Sequence, residues 1–333
     1  VDSFGKPGGK HELLLLMKLI DRYKERAQLG EYEIAGMRAL NEQNSEKSLR
    51  VAMDNVLQAR THVMRENRPR GTLTRPVFII GMPRSGGSFL QNALAQIDGI
   101  RVPETWEARY QAPPRHANPM DDIRRIRTAR EAAHNAISAK VGAMLVGGRS
   151  PLSGASDSEI MTNTFWSPVW GTMFNWQTYF SRWLEQDMRP ALRYHRRLLE
   201  EWDYYRPGSR MVLRDNWHQF HMDDLREVYP DATFIQMVRD PETCIRKFYA
   251  TMRVINPSCG TLDDFRQVWN YDHSADIDAH ITVATDSLST DPIETVMFVC
   301  DSLGITVSPH SENRLATWLE GLFRARSPLC PSQ

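Results

Sequence analysis

Apolar positions along this chain fall into two rhythms. Five short runs are nearly continuous, at residues 76–80, 100–102, 211–213, 233–238 and 281–284. The first, apolar on successive residues, marks a strand covered on both faces, as in a parallel sheet, and the others carry strand signals. Between and before them the apolar residues recur at helical spacing. Leu13, Leu16, Met17 and Ile20, then Met53, Val56 and Leu57, predict two or three helices within residues 11–67, and residues 88–96 predict another. Residues 118–205 lack strand-like alternation and hold Trp166, Trp170, Trp176, Trp183 and Trp202, which predicts helical cover over the sheet edge. Strands alternating with helices predict an α/β fold with a parallel central sheet flanked by helices. The expected organisation is an N-terminal helical extension over 1–70 and an α/β domain over 71–333, the latter interrupted by a helical cap at about 110–205. No internal repeat or low-complexity segment breaks this layout.

Composition narrows the classes. With 333 residues and 41% hydrophobic content the chain can bury a sizeable core. Its 41 basic residues balance 41 acidic ones, so no global field draws it to nucleic acid or to an anionic membrane, and any anion site must be local. Cys244, Cys259, Cys300 and Cys330 show no Cys-x-x-Cys spacing, which argues against a zinc site and for free thiols in a reducing compartment. No ligand cluster for any metal is evident. The longest apolar runs, near residues 13–17 and 77–82, are too short to span a bilayer, so the expectation is a soluble, cytoplasmic protein. The sequence leaves the oligomeric state open.

The candidate chemistry begins where the first strand ends. Gly81-Met-Pro-Arg-Ser-Gly-Gly-Ser-Phe89 leaves a buried strand, passes through small residues and enters a helix. In such a turn backbone N–H groups point inward and the helix N-terminus adds partial positive charge, a cradle for phosphate. Gly81-x-x-x-x-Gly86 has the glycine spacing of a nucleoside-triphosphate loop. That motif needs Lys where Gly87 stands, although Ser88 fits its hydroxyl position. Arg84 lies in the loop, and a later strand ends in Val238-Arg239-Asp240-Pro241, which puts a second guanidinium at the sheet edge where open α/β folds bind ligands. Two separate anion seats suit a 3′,5′-bisphosphate nucleotide better than a triphosphate chain.

These residues resemble the sulfotransferase family, in particular a bacterial branch near the tyrosylprotein sulfotransferases. The resemblance rests on Pro76-Val-Phe-Ile-Ile-Gly-Met-Pro-Arg-Ser-Gly86, Ile100-Arg-Val-Pro-Glu-Thr-Trp-Glu107, Val212-Leu-Arg-Asp215 followed by His218 and His221, the stretch from Tyr229 to Pro241, and Asp291-Pro292 with Leu303-Gly304. It implies a P-loop-like fold and a donor, 3′-phosphoadenosine 5′-phosphosulfate (PAPS), whose sulfuryl group passes without a metal to a small-molecule acceptor. Pro83, Arg84, Ser85, Gly86, Gly87, Ser88 and Phe89 would hold the 5′-phosphosulfate, while Arg239, with Lys247, would hold the 3′-phosphate. Arg84 and Arg214 would stabilise the leaving group. A carboxylate after the second strand would be the general base, Glu107 by preference and Glu104 in reserve. His218, His221, Trp166 and Trp170 are candidates for the acceptor side, although the histidines read first as packing groups and the tryptophans first as core.

Three positions depart from the family pattern. Gly86-Gly87-Ser88 replaces Gly-Thr-Thr, Arg214 stands for a Lys and is followed by Asp215-Asn216, and Lys247 replaces a Ser. Positive charge is kept at both phosphates, but a rigid guanidinium fork is not an ammonium. Two other readings stand beside this one. A kinase or hydrolase would need the missing Lys, and a nucleotide-binding protein that has lost the chemistry would explain Gly87 and Arg214.

Overall fold

A computed structural model describes residues 17–18, 20–25, 27–41, 56–57, 60–61, 63–64, 69–111, 120, 122–128, 150–173, 176–205, 207–255, 259–269 and 277–326. Its centre is a five-stranded sheet of β1 (Val77–Gly81), β2 (Ile100–Arg101), β3 (Arg210–Arg214), β4 (Thr233–Val238) and β5 (Ile281–Ala284). The strands lie in the order β2-β3-β1-β4-β5, and every neighbouring pair is parallel. The fold class expected from the hydrophobic rhythm is the fold observed.

Alternation along β1 divides the core. Phe78 and Ile80 point to one side with Leu213, Met211 and Phe234, and Val77 and Ile79 to the other with Val212, Ile235, Met237, Ile281 and Val283. Because β1 is flanked on both edges and both faces, all five of its residues are buried. The edge strand β5 alternates buried and exposed, as one covered face requires.

The second face is closed by helices Gly87–Leu94, Pro292–Ser302 and Pro309–Arg326 through Leu90, Leu94, Val296, Val299, Leu315 and Leu319. The first face carries helices Pro168–Met173, Trp176–Leu184 and Arg189–Tyr205, whose Trp170, Phe180, Trp183 and Trp202 fill the larger core. This is the helical cover expected for 118–205, although residues 129–149 lie outside the described ones. Much of the expected N-terminal extension also lies outside them. What is described there, helix Glu31–Asn41 with Ala27, Leu29, Met37, Val56, Leu57 and Val63, packs into the same core as Trp166 and Trp202. A buried ion pair between Arg60 and Glu33 (2.6 Å) braces it.

Strand order also locates the ligand edge. From β1 the chain runs by helix Gly87–Leu94 to β2 on one side, whereas from β4 it runs to β5 on the other. Adjacent strands whose connections leave in opposite directions open a crevice at their carboxyl ends. Here the crevice lies between Gly81 and Val238.

Candidate active site

The loop after β1 is shaped by what surrounds it. Gly81 has φ of 140°, and a Cβ there would lie 2.5 Å from the Met237 carbonyl oxygen on β4, so only glycine permits this approach. Gly86, at φ 98°, caps the helix Gly87–Leu94. Phe89 and Leu90 donate their N–H groups back to the Gly86 carbonyl at 2.9 and 3.1 Å. Gly87 and Ser88, the first two helical residues, have no intrahelical acceptor for theirs and face the crevice mouth as the first turn of any helix does.

Arg84 sits at φ 71°, a left-handed conformation that costs a side-chain-bearing residue on the order of 1–3 kcal/mol. Its carbonyl oxygen accepts a 2.8 Å hydrogen bond from Arg239 Nη1, across the crevice. The two guanidinium residues named from sequence are thus physically joined. Lys247, exposed on helix Pro241–Ile255, completes the group: Arg239, Lys247 and Arg84 all act electrostatically on the buried Cys244 thiol. Burial nevertheless dominates and pushes that thiol up to about 11. Asp240 caps the helix, its carboxylate accepting the Thr243 N–H at 2.7 Å, and its charge also acts on Arg239.

The remaining loop residues divide by exposure. Pro83 is buried and Ser88 exposed, while the Phe89 ring packs against Trp318 with centroids 5.4 Å apart. Ser85 is enclosed and points inward. Its hydroxyl donates to the Met82 carbonyl (2.6 Å), its N–H to the same oxygen (3.2 Å), and its own carbonyl accepts from Thr285 Oγ1 (2.6 Å). That corrects the expectation of Ser85 as a ligand contact, since both its donors are engaged in shaping the turn. Thr285, which no motif singled out, is the residue that ties the loop to β5.

Arg214 ends β3 in register with Ile79 and is 6% exposed. Its stem crosses Gly87, where an added Cβ would meet Cδ at 3.4 Å, and its Nε donates to Gln91 Oε1 at 3.3 Å. Asn216 donates to the Gly81 carbonyl at 2.7 Å, which holds the turn after β3 against the loop. Asp215 is 1% exposed and accepts from the Ser156 hydroxyl (2.8 Å), from Ser158 and from the Trp217 N–H (2.9 Å). It ties β3 to helix Asp157–Met161.

The two candidate bases differ sharply. Glu107, 3% exposed, pairs with the buried Arg101 at 2.9 Å, and its second oxygen accepts the Glu104 backbone N–H at 2.9 Å. It is a capping and ion-pairing residue of helix Thr105–Arg109, with both oxygens engaged. Glu104 is half-buried, lies in a backbone bridge with Gly154, and is oriented by Trp106 Nε1 at 2.6 Å from its Oε2. These contacts leave Glu104 the more accessible of the two carboxylates. The motif favours Glu107, whose ion pair with Arg101 of β2 is a contact of the folded chain.

Four acceptor-side candidates take the packing role that their sequence reading puts first. Trp166 and Trp170 are 2% and 4% exposed, and their indole N–H groups donate to the Tyr32 and Thr162 carbonyls, so they are core residues rather than an acceptor wall. His218 is 4% exposed, with Nε2 2.8 Å from Asp157, and its ring meets Phe78 edge-on. Burial pulls its pKa down, but the hydrogen bond and charge of Asp157 outweigh that and leave it raised. Asp157 in turn is held well below the usual carboxylate range: burial opposes this, and His195 and His218 together overcome it. His221 packs edge-on against Trp183 at 4.6 Å, and burial lowers it to about 4. These histidines brace the core behind the loop.

Among the described residues no group of three or more His, Cys, Asp or Glu is placed to hold a metal ion, and no helix is long and apolar enough to cross a membrane. The described cysteines Cys244, Cys259 and Cys300 are buried free thiols.

Comparison with known proteins places this architecture. Sulfotransferase STF9 from Mycobacterium avium superposes with a TM-score of 0.76 at 17% identity, over 95% of this chain and 88% of that one. Sulfotransferase STF1 from Mycobacterium tuberculosis H37Rv gives 0.67 at 20% identity, over 94% of each chain. At such identities the likeness is one of fold. No curated protein matches significantly. The sulfotransferase family model matches residues 76–309, from the strand that feeds the phosphate loop to the start of the last helix, and the chain belongs to the sulfotransferase family.

Proposed function

We propose that the chain transfers a sulfuryl group from PAPS to a hydroxyl or amine of a small-molecule acceptor. The observation that carries this reading is the 2.8 Å bond from Arg239 to the Arg84 carbonyl, which couples a cation on β4 to the loop on β1. It supports a reading of two cationic seats on one crevice, the pattern a 3′,5′-bisphosphate needs. The donor set fits: open N–H groups at Gly87 and Ser88, Arg84 and Arg214 at one seat, Arg239 and Lys247 at the other.

When bound, PAPS supplies an activated sulfuryl group whose bond to the 5′-phosphate oxygen breaks as the acceptor attacks. Arg84, Arg214 and the helix N-terminus offset charge that grows on that oxygen. Pro83 and Gly86 set the loop's path, and Phe89 anchors the following helix against Trp318. Glu104 takes the proton from the acceptor, a step worth about 10²–10⁴-fold. Alignment of nucleophile and leaving group supplies much of the rest.

The test is direct. Incubation with PAPS and a panel of simple phenols, alcohols and amines should yield PAP (adenosine 3′,5′-bisphosphate) and a sulfated product in equal amounts. Binding of PAP with no product from any class would favour the non-catalytic reading. Magnesium-dependent turnover of ATP would favour the kinase one.

A further inference from the structure

Resting on that donor reading, we propose that Gln91 is the positioning residue that aims the Arg214 guanidinium at the donor's 5′-phosphate. Gln91 lies four residues beyond Gly87 on the helix Gly87–Leu94, so the two share a face. Gly87 leaves room for the Arg214 stem, and Gln91 supplies its acceptor one turn later. The side chain is wholly enclosed, and each end of its amide is engaged. Oε1 accepts from Arg214 Nε at 3.3 Å, while Nε2 donates to the Ala155 carbonyl at 3.2 Å and the Val212 carbonyl at 3.4 Å. One buried amide therefore joins the loop helix, β3 and the segment that backs Glu104.

That segment is fitted to it. Gly154 pairs with Glu104, and Ala155 donates its N–H to the Pro103 carbonyl at 2.8 Å. A Cβ at Gly154 would stand 2.6 Å from Gln91 Cδ, so the glycine is what allows the amide to reach Arg214. Asn92, the next residue, accepts the Gly154 N–H at 2.9 Å and fixes the distance between helix and segment. The arrangement is directional: with Nε2 held by two carbonyls, Oε1 must face Arg214.

The test compares two ligands by calorimetry, PAP and adenosine 3′-phosphate, which lacks the 5′-phosphate. Gln91→Met should weaken PAP about tenfold, the scale of a lost hydrogen bond to a charged group, and leave adenosine 3′-phosphate within about twofold. Gly154→Ala, which keeps Gln91 but displaces its amide, should reproduce the selective loss and decides the matter if Gln91→Met does not fold. Arg214→Ala should lose as much, and the Gln91→Met/Arg214→Ala double variant no more than Arg214→Ala alone. Equal weakening of both ligands would reduce Gln91 to a packing residue and overturn the proposal. Selective loss in Arg214→Ala without it in Gln91→Met or Gly154→Ala would overturn it while sparing the donor reading. A wild-type chain with no preference for PAP would overturn both.

Discussion

The crevice between β1 and β4 and the segment 103–107 both carry charged residues picked out by motif, yet they use charge in opposite ways. In the crevice the cations stay accessible: Arg84 and Lys247 are exposed, Arg239 is half-buried, and the bond between Arg239 and loop is made to a backbone carbonyl that leaves the rest of the guanidinium fork open. In the segment, Glu107 and Arg101 are sealed against each other at 3% and 5% exposure. A charge that meets a ligand must stay accessible to it, whereas a buried charge is stabilised by a counter-charge held close. By exposure Glu104, half-buried beside the sealed pair, is the more accessible of the two carboxylates.

Variants can break or sharpen this contrast, and the largest effect is expected at the loop. Arg84→Ala should abolish measurable transfer, and PAP affinity should drop with it, because the residue serves both the seat and the developing charge. Retained transfer would remove Arg84 from the chemistry. Glu104→Gln should lower the turnover number by about a hundredfold or more with PAP affinity unchanged, since shape is kept and basicity lost. Glu107→Gln should do the reverse: turnover per folded molecule is kept, but chemical denaturation should register a loss of about 3–5 kcal/mol from leaving Arg101 buried without its counter-charge. If Glu107→Gln removes turnover and Glu104→Gln does not, the allocation of the two carboxylates is wrong.

A smaller effect concerns pH. His218 has a raised pKa in the folded state, so its pairing with Asp157 stabilises fully below the unfolded histidine value and is lost as pH rises through the folded one. Thermal midpoints should therefore fall as pH increases above about 6.5, and His218→Gln should flatten that dependence. An unchanged slope in the variant would assign it to other groups. Least of all is expected at Cys244, whose burial keeps the thiol neutral: Cys244→Ala should leave PAP affinity within about twofold.

How much of this could be read from sequence follows from the range of the interactions involved. β4 and β5 begin and end at the residues their strand signals predict, and β1, β2 and β3 differ only at their ends; β1, buried throughout, writes its burial into consecutive apolar residues. The phosphate loop is equally local, its glycines serving a turn a few residues long. The Trp106-Glu107 pair ranks Glu107 first, and the contacts that weigh against this order, the ion pair with Arg101 and the bridge from Glu104 to Gly154, are made only in the folded chain. Trp166 and Trp170 read as core before pocket, because large aromatics fill cores readily, and the carbonyl partners of their indole N–H groups agree. Ser85 resembled a ligand hydroxyl in a loop full of them, and only its bond to Met82 tells otherwise. Gln91 had a faint signal: an amide one turn after a phosphate loop, on the face of Gly87, where a buried helix would ordinarily carry an apolar residue.

The most direct measurement is the affinity of the wild-type chain and of Arg239→Ala for PAP and for adenosine 5′-phosphate by titration calorimetry. With two cationic seats the wild type should bind PAP more tightly by about 1.5–3 kcal/mol, the scale of a charge-assisted hydrogen bond, and Arg239→Ala should erase most of that difference. Equal affinities in the wild type would contradict the two-seat crevice and the PAPS-dependent transfer that rests on it.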